Sequence, residues 1–206
     1  MRASVSAMVI ASLPASSWFE PEVRQHPSRS SSPYNTADGG NQAYLCSGGT
    51  TTNLVGLGEP DSYAYGINNA GQVVGWAYTP NVGGPAFLYS GGVMTSLGTL
   101  GGVDSVAYAI NSSGQVVGWS STGNGAFNAF LYSGIMTNLA GALGATFSDA
   151  NAINDAGQVV GVYGTAGGTL AAFVYEGGIM TDLSSLLPSV QAGSLRTLPE
   201  STIWAR

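Results

Sequence analysis

Positive charge is nearly missing from this chain, and lysine is missing altogether. The five cations are all arginine (Arg2, Arg24, Arg29, Arg196 and Arg206), and none falls between residues 43 and 190. A surface that tracks nucleic-acid phosphates needs several Lys or Arg contacts, so that region has no nucleic-acid partner. The single histidine, His26, also lies outside it. A hydrolytic triad therefore has no base, and a Ser-Lys pair has no lysine. One cysteine, Cys46, allows neither an internal disulfide nor a Cys-based zinc cage, and reads as a small apolar strand residue. No apolar run approaches the roughly 18 residues of a membrane span. Calcium-loop spacing is absent too, and glycine runs such as Gly98–Gly102 are too short for a phosphate loop and open no helix. The expectation is a protein without catalytic residues, cofactor or metal.

What is abundant is glycine, 31 of 206 residues, about twice the usual share. Hydrophobic residues still make up 44%, enough to bury a core, while charged residues reach only 8% and leave a net charge of −6. Residues 1–42 read as a leader and flexible tether. The apolar stretch Ala7–Leu13 followed by Pro14-Ala15-Ser16 is a weak secretory-signal candidate, and Ser/Pro/Gly-rich sequence follows to residue 42.

Self-comparison organises the rest. Gln-Val-Val-Gly begins at Gln72, Gln115 and Gln158, and Ile-Asn begins at Ile67, Ile110 and Ile153, each spaced by 43 residues. An Ala-aromatic-aliphatic element begins at Ala43, Ala86, Ala129 and Ala172, again 43 apart. Residues 43–190 are thus a repeat domain of three repeats plus an extra hairpin, and 191–206 read as a degenerate or truncated repeat start. Each unit is expected to hold two hairpins. One pairs Ala86–Tyr89 with Val93–Leu97 across a glycine turn. The other pairs Ser105–Ile110 with Gln115–Trp119 across Asn111-Ser112-Ser113-Gly114. Asn111 also begins a glycosylation acceptor triplet, but a turn asparagine explains it better.

Four short strands every 43 residues predict an all-β, propeller-like array of four-stranded repeats, incomplete at its end; a β-solenoid is the alternative. Simple alternation places Ser105, Ala107 and Ala109 on one face of their strand and Val106, Tyr108 and Ile110 on the other. The small face suits a strand near an axis where blades converge. An array lacking its last hairpin has a free edge, so self-association is expected.

These motifs resemble the bacterial extracellular repeat proteins of the HAF family. The chain carries the pattern as Ala86-Phe87-Leu88, Gly92–Gly102, Ser105–Asn111 and Gly114–Gly118, in order and in period over roughly 43–183. It departs at the histidine that names the family, where Gln42, Pro85, Asn128 and Ala171 stand. The resemblance implies a secreted or surface-exposed bacterial protein without a defined activity.

Two sets of residues are candidates for facing a ligand. Ser62, Ser105 and Ser148 recur at one repeat position and would present hydroxyls if their strands line a channel, although close blade packing also calls for small residues. Trp76 and Trp119 follow the Gln-Val-Val-Gly strands and could stack on sugar rings, while Val162 replaces them in the third copy. Asp61, Asp104 and Asp149 read as solvated loop acids. The functional expectation is a non-catalytic extracellular or cell-surface module with a structural or interaction role. The alternative is a carbohydrate-binding or weakly glycan-active propeller. The partner is unknown, with self-association and a surface glycan both open.

Overall fold

A computed structural model describes residues 8–11, 42–47, 50–54, 61–80, 83–140 and 143–186. The tether from 12 to 41 and the segment 191–206 lie outside the described residues. Three antiparallel sheets of four strands follow one another along the chain. The first holds β4 (Ser62–Ile67), β5 (Val73–Ala77), β6 (Ala86–Ser90) and β7 (Val93–Gly98). The second holds β8 (Gly101–Ile110), β9 (Val116–Thr122), β10 (Phe127–Tyr132) and β11 (Met136–Asn138). The third holds β12 (Ser148–Ile153), β13 (Val159–Gly164), β14 (Leu170–Glu176) and β15 (Ile179–Asp182), closed by a 3-10 turn at Leu183–Leu186. Ahead of them β2 (Ala43–Ser47) and β3 (Thr50–Asn53) form a hairpin, and β1 (Met8–Ala11) pairs with the free side of β2. The leader therefore contributes a strand, drawn from the apolar stretch that reads as a signal candidate. Within each complete sheet the strands are sequential neighbours, which is a meander and not the rung of a solenoid.

The structural unit is out of phase with the sequence unit. Each complete sheet starts at the Ser-x-Ala strand and ends at the Gly-x-Met-Thr strand, so the incomplete sheet is the one ahead of them, at 43–53, and Ala172–Asp182 belongs to a complete sheet. The reason is covalent. The Asn turn and the short loop after Ala77 both keep the chain in one sheet, leaving only the link after Gly98 to cross to the next.

Conserved geometry rests on the turn asparagines. Asn111 Oδ1 accepts from the Ser113 and Gln115 amides at 3.1 and 2.9 Å, closing the turn, with Gly114 at φ 80°. Its Nδ2 donates to Gln115 Oε1 at 2.7 Å and across to the Asn154 carbonyl at 3.1 Å. Asn68 does the same, reaching the Asn111 carbonyl at 2.9 Å. Asp155 adds a third bond of this kind by accepting from the Ser112 amide at 2.9 Å, which also lowers its pKa. Equivalent turns in successive sheets are thus stitched together.

A bulge recurs on every Ser-x-Ala strand, between Ala64 and Gly66, Ala107 and Ala109, and Ala150 and Ala152. The extra residue changes which side chains share a face. Beyond it, Ile110 joins Ala107 in the core with the preceding sheet, while Ala109 packs toward the following one. The simple alternation expected for Ser105–Ile110 is corrected accordingly. The bulge also explains the glycine of Gln-Val-Val-Gly. A Cβ on Gly75, Gly118 or Gly161 would overlap the carbonyl oxygen of Tyr63, Val106 or Asp149 respectively.

Hydrophobic burial occurs between successive sheets. Ala43 and Leu54 pack on Ala64, Val73 and Phe87; Val74, Ala86 and Leu97 pack on Ala107, Val116 and Phe130; Val117, Ala129 and Leu139 pack on Ala150, Val159 and Phe173. Phe87, Phe130 and Phe173 are fully buried, each contributing about 1.5–3 kcal/mol by removal from water. Every complete sheet therefore has a forward face bearing Val and Ala and a backward face bearing Phe. The Ser-x-Ala strands β4, β8 and β12 pack against one another in series, so this is the edge at which the sheets converge.

Candidate functional site

The three serines expected to face a ligand are turned between sheets instead. Ser62, Ser105 and Ser148 are buried, and each Oγ accepts the amide of the alanine 19 residues earlier, Ala43, Ala86 or Ala129, at 2.7–3.0 Å. Ser105 Oγ also donates to the Gly98 carbonyl at 2.6 Å. A backbone N–H left over by the meander needs an acceptor in an apolar interface, and a serine is small enough to supply one. This packing requirement fixes the residue type at that position.

Trp76 and Trp119 are half-buried and engaged within the array. Trp76 sits 5.7 Å from the Tyr63 ring and covers Gly84, where a Cβ would overlap the indole. Trp119 makes an edge contact with Phe127 at 5.2 Å, and its Nε1 donates to the Tyr108 hydroxyl at 3.1 Å. Cys46 is half-buried beside Thr51 Oγ1 at 3.1 Å.

What the tryptophan contact leads to is a group of residues that the sequence motifs pass over. The bulge residues are Tyr65, Tyr108 and Asn151, 43 apart, on the converging strands. Tyr65 is 46% exposed and meets Tyr108 edge-on at 5.7 Å, bridging two sheets. Asn151 is exposed at the same position of the third sheet. Bulges re-aim side chains and are frequent beside functional sites. Burial pushes the phenols of both tyrosines up; for Tyr65 the neighbouring Tyr108 adds to this, and for Tyr108 the Asp149 carboxylate does.

Asp149 is not a solvated loop acid. It lies in β12, and its Oδ1 is buried without a hydrogen-bond partner. Burial raises its pKa from the ordinary 3.8 to about 6. Asp104, by contrast, accepts the Gly84 amide at 2.9 Å. The arrangement offers two phenols, an indole edge, an amide and one poorly solvated carboxylate. It can hold hydroxyl-bearing or amine-bearing groups.

The Asp149 shift has a stability consequence. A carboxyl whose folded pKa lies above its unfolded one leaves stability intact below about pH 4 and costs stability as pH rises through about 6. After allowance for solvent screening, Asp149→Asn should stabilise the chain by about 1–2 kcal/mol at pH 7.5 and by almost nothing at pH 4. Urea unfolding at the two pH values checks this, and an equal effect at both would contradict it.

No protein-family model matches the chain, and no curated protein matches it. Solved structures do. The chain is similar to a putative TolB from Agrobacterium tumefaciens, at TM-score 0.52 and 13% identity over 71% of this chain and 57% of that one. It is similar to the β-propeller domain of the trilobed protease from Pyrococcus furiosus, described as having an open velcro topology, at TM-score 0.48 and 16% identity over 72% and 45%. A third likeness is to an acylaminoacyl peptidase from Pyrococcus horikoshii, at TM-score 0.50 and 16% identity over 74% and 24%. The chain spans less than two thirds of each of these proteins. At such identities the likeness concerns fold alone: the four-stranded antiparallel sheets of this chain are β-propeller blades.

Proposed function

We propose that this chain is a non-catalytic repeat module of the HAF type that acts outside the cell or on its surface, through contacts made by the converging strands. The observation that carries this reading is the row Tyr65, Tyr108 and Asn151, set out from three successive strands by the same bulge beside Asp149. A repeated device that exposes aromatic and amide groups serves contact better than it serves the core. Residues 43–190 contain no Lys, Arg or His, so a histidine- or lysine-activated nucleophile has no base there. Extracellular placement is supported by the motif resemblance.

A carbohydrate ligand is the second reading, favoured by the Tyr108–Trp119 hydrogen bond beside the exposed Tyr65 ring. Aromatic faces next to a carboxylate suit sugar rings and their hydroxyls. Both readings are tested by titrating the full chain with a glycan panel while following tryptophan fluorescence and assaying for released sugar. Released sugar would refute the non-catalytic reading. A saturable fluorescence shift that Tyr108→Ala abolishes would select the carbohydrate reading, and silence across the panel would leave a protein contact as the ligand class.

A further inference from the structure

The faces at the two ends of the blade series are complementary to each other. The forward sets repeat as Val74, Ala86 and Leu97, then Val117, Ala129 and Leu139, and these residues are covered by the next sheet. In the third sheet the same positions are Val160, Ala172 and Leu183. Val160 is 42% exposed where Val74 and Val117 are fully buried, and Ala172 is exposed where Ala86 and Ala129 are fully buried. The polar stitching stops at the same place. Asn68 and Asn111 each donate across to the next turn, whereas Asn154 is exposed and, among the described residues, its amide donates within its own turn, to Gln158 Oε1 at 2.6 Å. The serine series stops as well: 19 residues beyond Ala172 stands Gln191, outside the described residues.

At the other end, the incomplete sheet of β1, β2 and β3 presents the backward counterpart. Tyr44 occupies the position of Phe87, Phe130 and Phe173, yet it is only half-buried where those three are fully buried. The knob that fills each internal interface is thus present and incompletely covered, and the socket that receives it is present and open.

We propose that the Val160–Ala172–Leu183 face binds the Tyr44 face of a second copy of this chain, head to tail, and that two copies pair reciprocally in this way. The argument for this occupant is continuity with the interface already seen three times within the chain. Every internal contact joins a forward Val/Ala face to a backward aromatic, and Tyr44 of another copy supplies that aromatic, although its sheet, among the described residues, has no Ser-x-Ala strand to supply the serine acceptor. Made reciprocally about a two-fold axis, the contact is self-complementary and stops at two chains. The missing positive charge between residues 43 and 190 is compatible with this, because the contact is apolar and hydrogen-bonded and asks for no ion pair.

The test is sedimentation of the full chain over a concentration series, with two single variants. The wild type should sediment at twice the monomer mass. Val160→Glu places a charge on a position that is exposed in the single chain, so folding survives, and it should weaken dimerisation at least about 100-fold. Tyr44→Glu should do the same from the other side. Mixing the two variants should restore a species of two chains, because one intact socket then meets one intact knob. Ile135→Glu, at a position 78% exposed within the array, should leave dimerisation unchanged. A wild type that stays monomeric, as when residues 187–206 or the incomplete sheet of the same chain cover the face, would overturn the proposal. So would dimers that survive Val160→Glu, or variants that fail to complement on mixing. None of these outcomes depends on whether the tyrosine row binds a ligand.

Discussion

Replacing Asn111 by alanine should destabilise the protein by about 3 kcal/mol, whereas the same change at Asn154 should cost about 1 kcal/mol. Both asparagines close the same turn with the same internal bonds, so the difference isolates the contact between sheets. Asn111 is only 3% exposed, and its amide reaches the carbonyl of Asn154 in the next sheet. Truncation leaves that carbonyl without its amide donor, and also deprives the Ser113 and Gln115 amides of their acceptor. Buried polar groups stripped of partners cost about 1–3 kcal/mol each, partly recovered when water can enter. Asn154 has no forward bond among the described residues and is open to solvent, so water replaces what its truncation removes. Asn111→Asp separates the two roles further. It keeps the Oδ acceptors but loses the cross-sheet donor and adds a charge beside Asp155, so it should cost at least as much as alanine. Urea unfolding of the three variants checks this, and equal losses at 111 and 154 would show that the cross-sheet bond contributes nothing.

The repeat made most of the fold readable. Strand count, strand class, the glycine and asparagine turns and the blade-like unit all follow from motifs that return every 43 residues. Phase did not follow, because periodicity is indifferent to where a unit starts. Only the hydrogen-bond pairing shows that the hairpin at Ala43 is the unfinished one and that Met8–Ala11 completes three of its four strands. The face assignment of Ser105–Ile110 failed for a related reason. Alternation assumes an unbroken ladder, and the bulge at Tyr108 inserts a residue that no composition signal marks.

The ligand-facing candidates suffered from the same missing information. Serine at a recurring position is chemically ambiguous between a displayed hydroxyl and an acceptor for a stranded amide. Packing decides for the second at Ser62, Ser105 and Ser148. Of the two tryptophans, Trp119 lies against the bulge row, bonded to Tyr108, while Trp76 packs on Tyr63. Positions 65, 108 and 151 could have been picked out as a spaced set, but tyrosine, tyrosine and asparagine do not look like one repeated residue. What they share is backbone geometry, which becomes visible only when strands are paired.

Gly118→Ala should be the most damaging small substitution in the array, costing about 3 kcal/mol or more. The added Cβ would overlap the Val106 carbonyl oxygen and come within 3.0 Å of the Ala107 Cα. Both obstacles are backbone, so no rotamer change relieves them. The only escape is to undo the bulge between Ala107 and Ala109, which shifts the register beyond it and takes Ile110 out of the core it shares with Val116 and Phe130. Gly114→Ala provides the comparison. That glycine has φ 80°, so alanine there is strained by about 1–2 kcal/mol, but the nearest atom is the flexible end of Gln72 at 3.4 Å. Gly118→Ala should therefore lose clearly more stability than Gly114→Ala. Because the second sheet joins the first to the third, its damage should also divide a single cooperative transition into two. Thermal and urea unfolding of both variants measure this directly. A Gly118→Ala protein that melts in one step, within 1 kcal/mol of the wild type on the scale of ordinary surface substitutions, would mean that the bulge is not what holds glycine at this position.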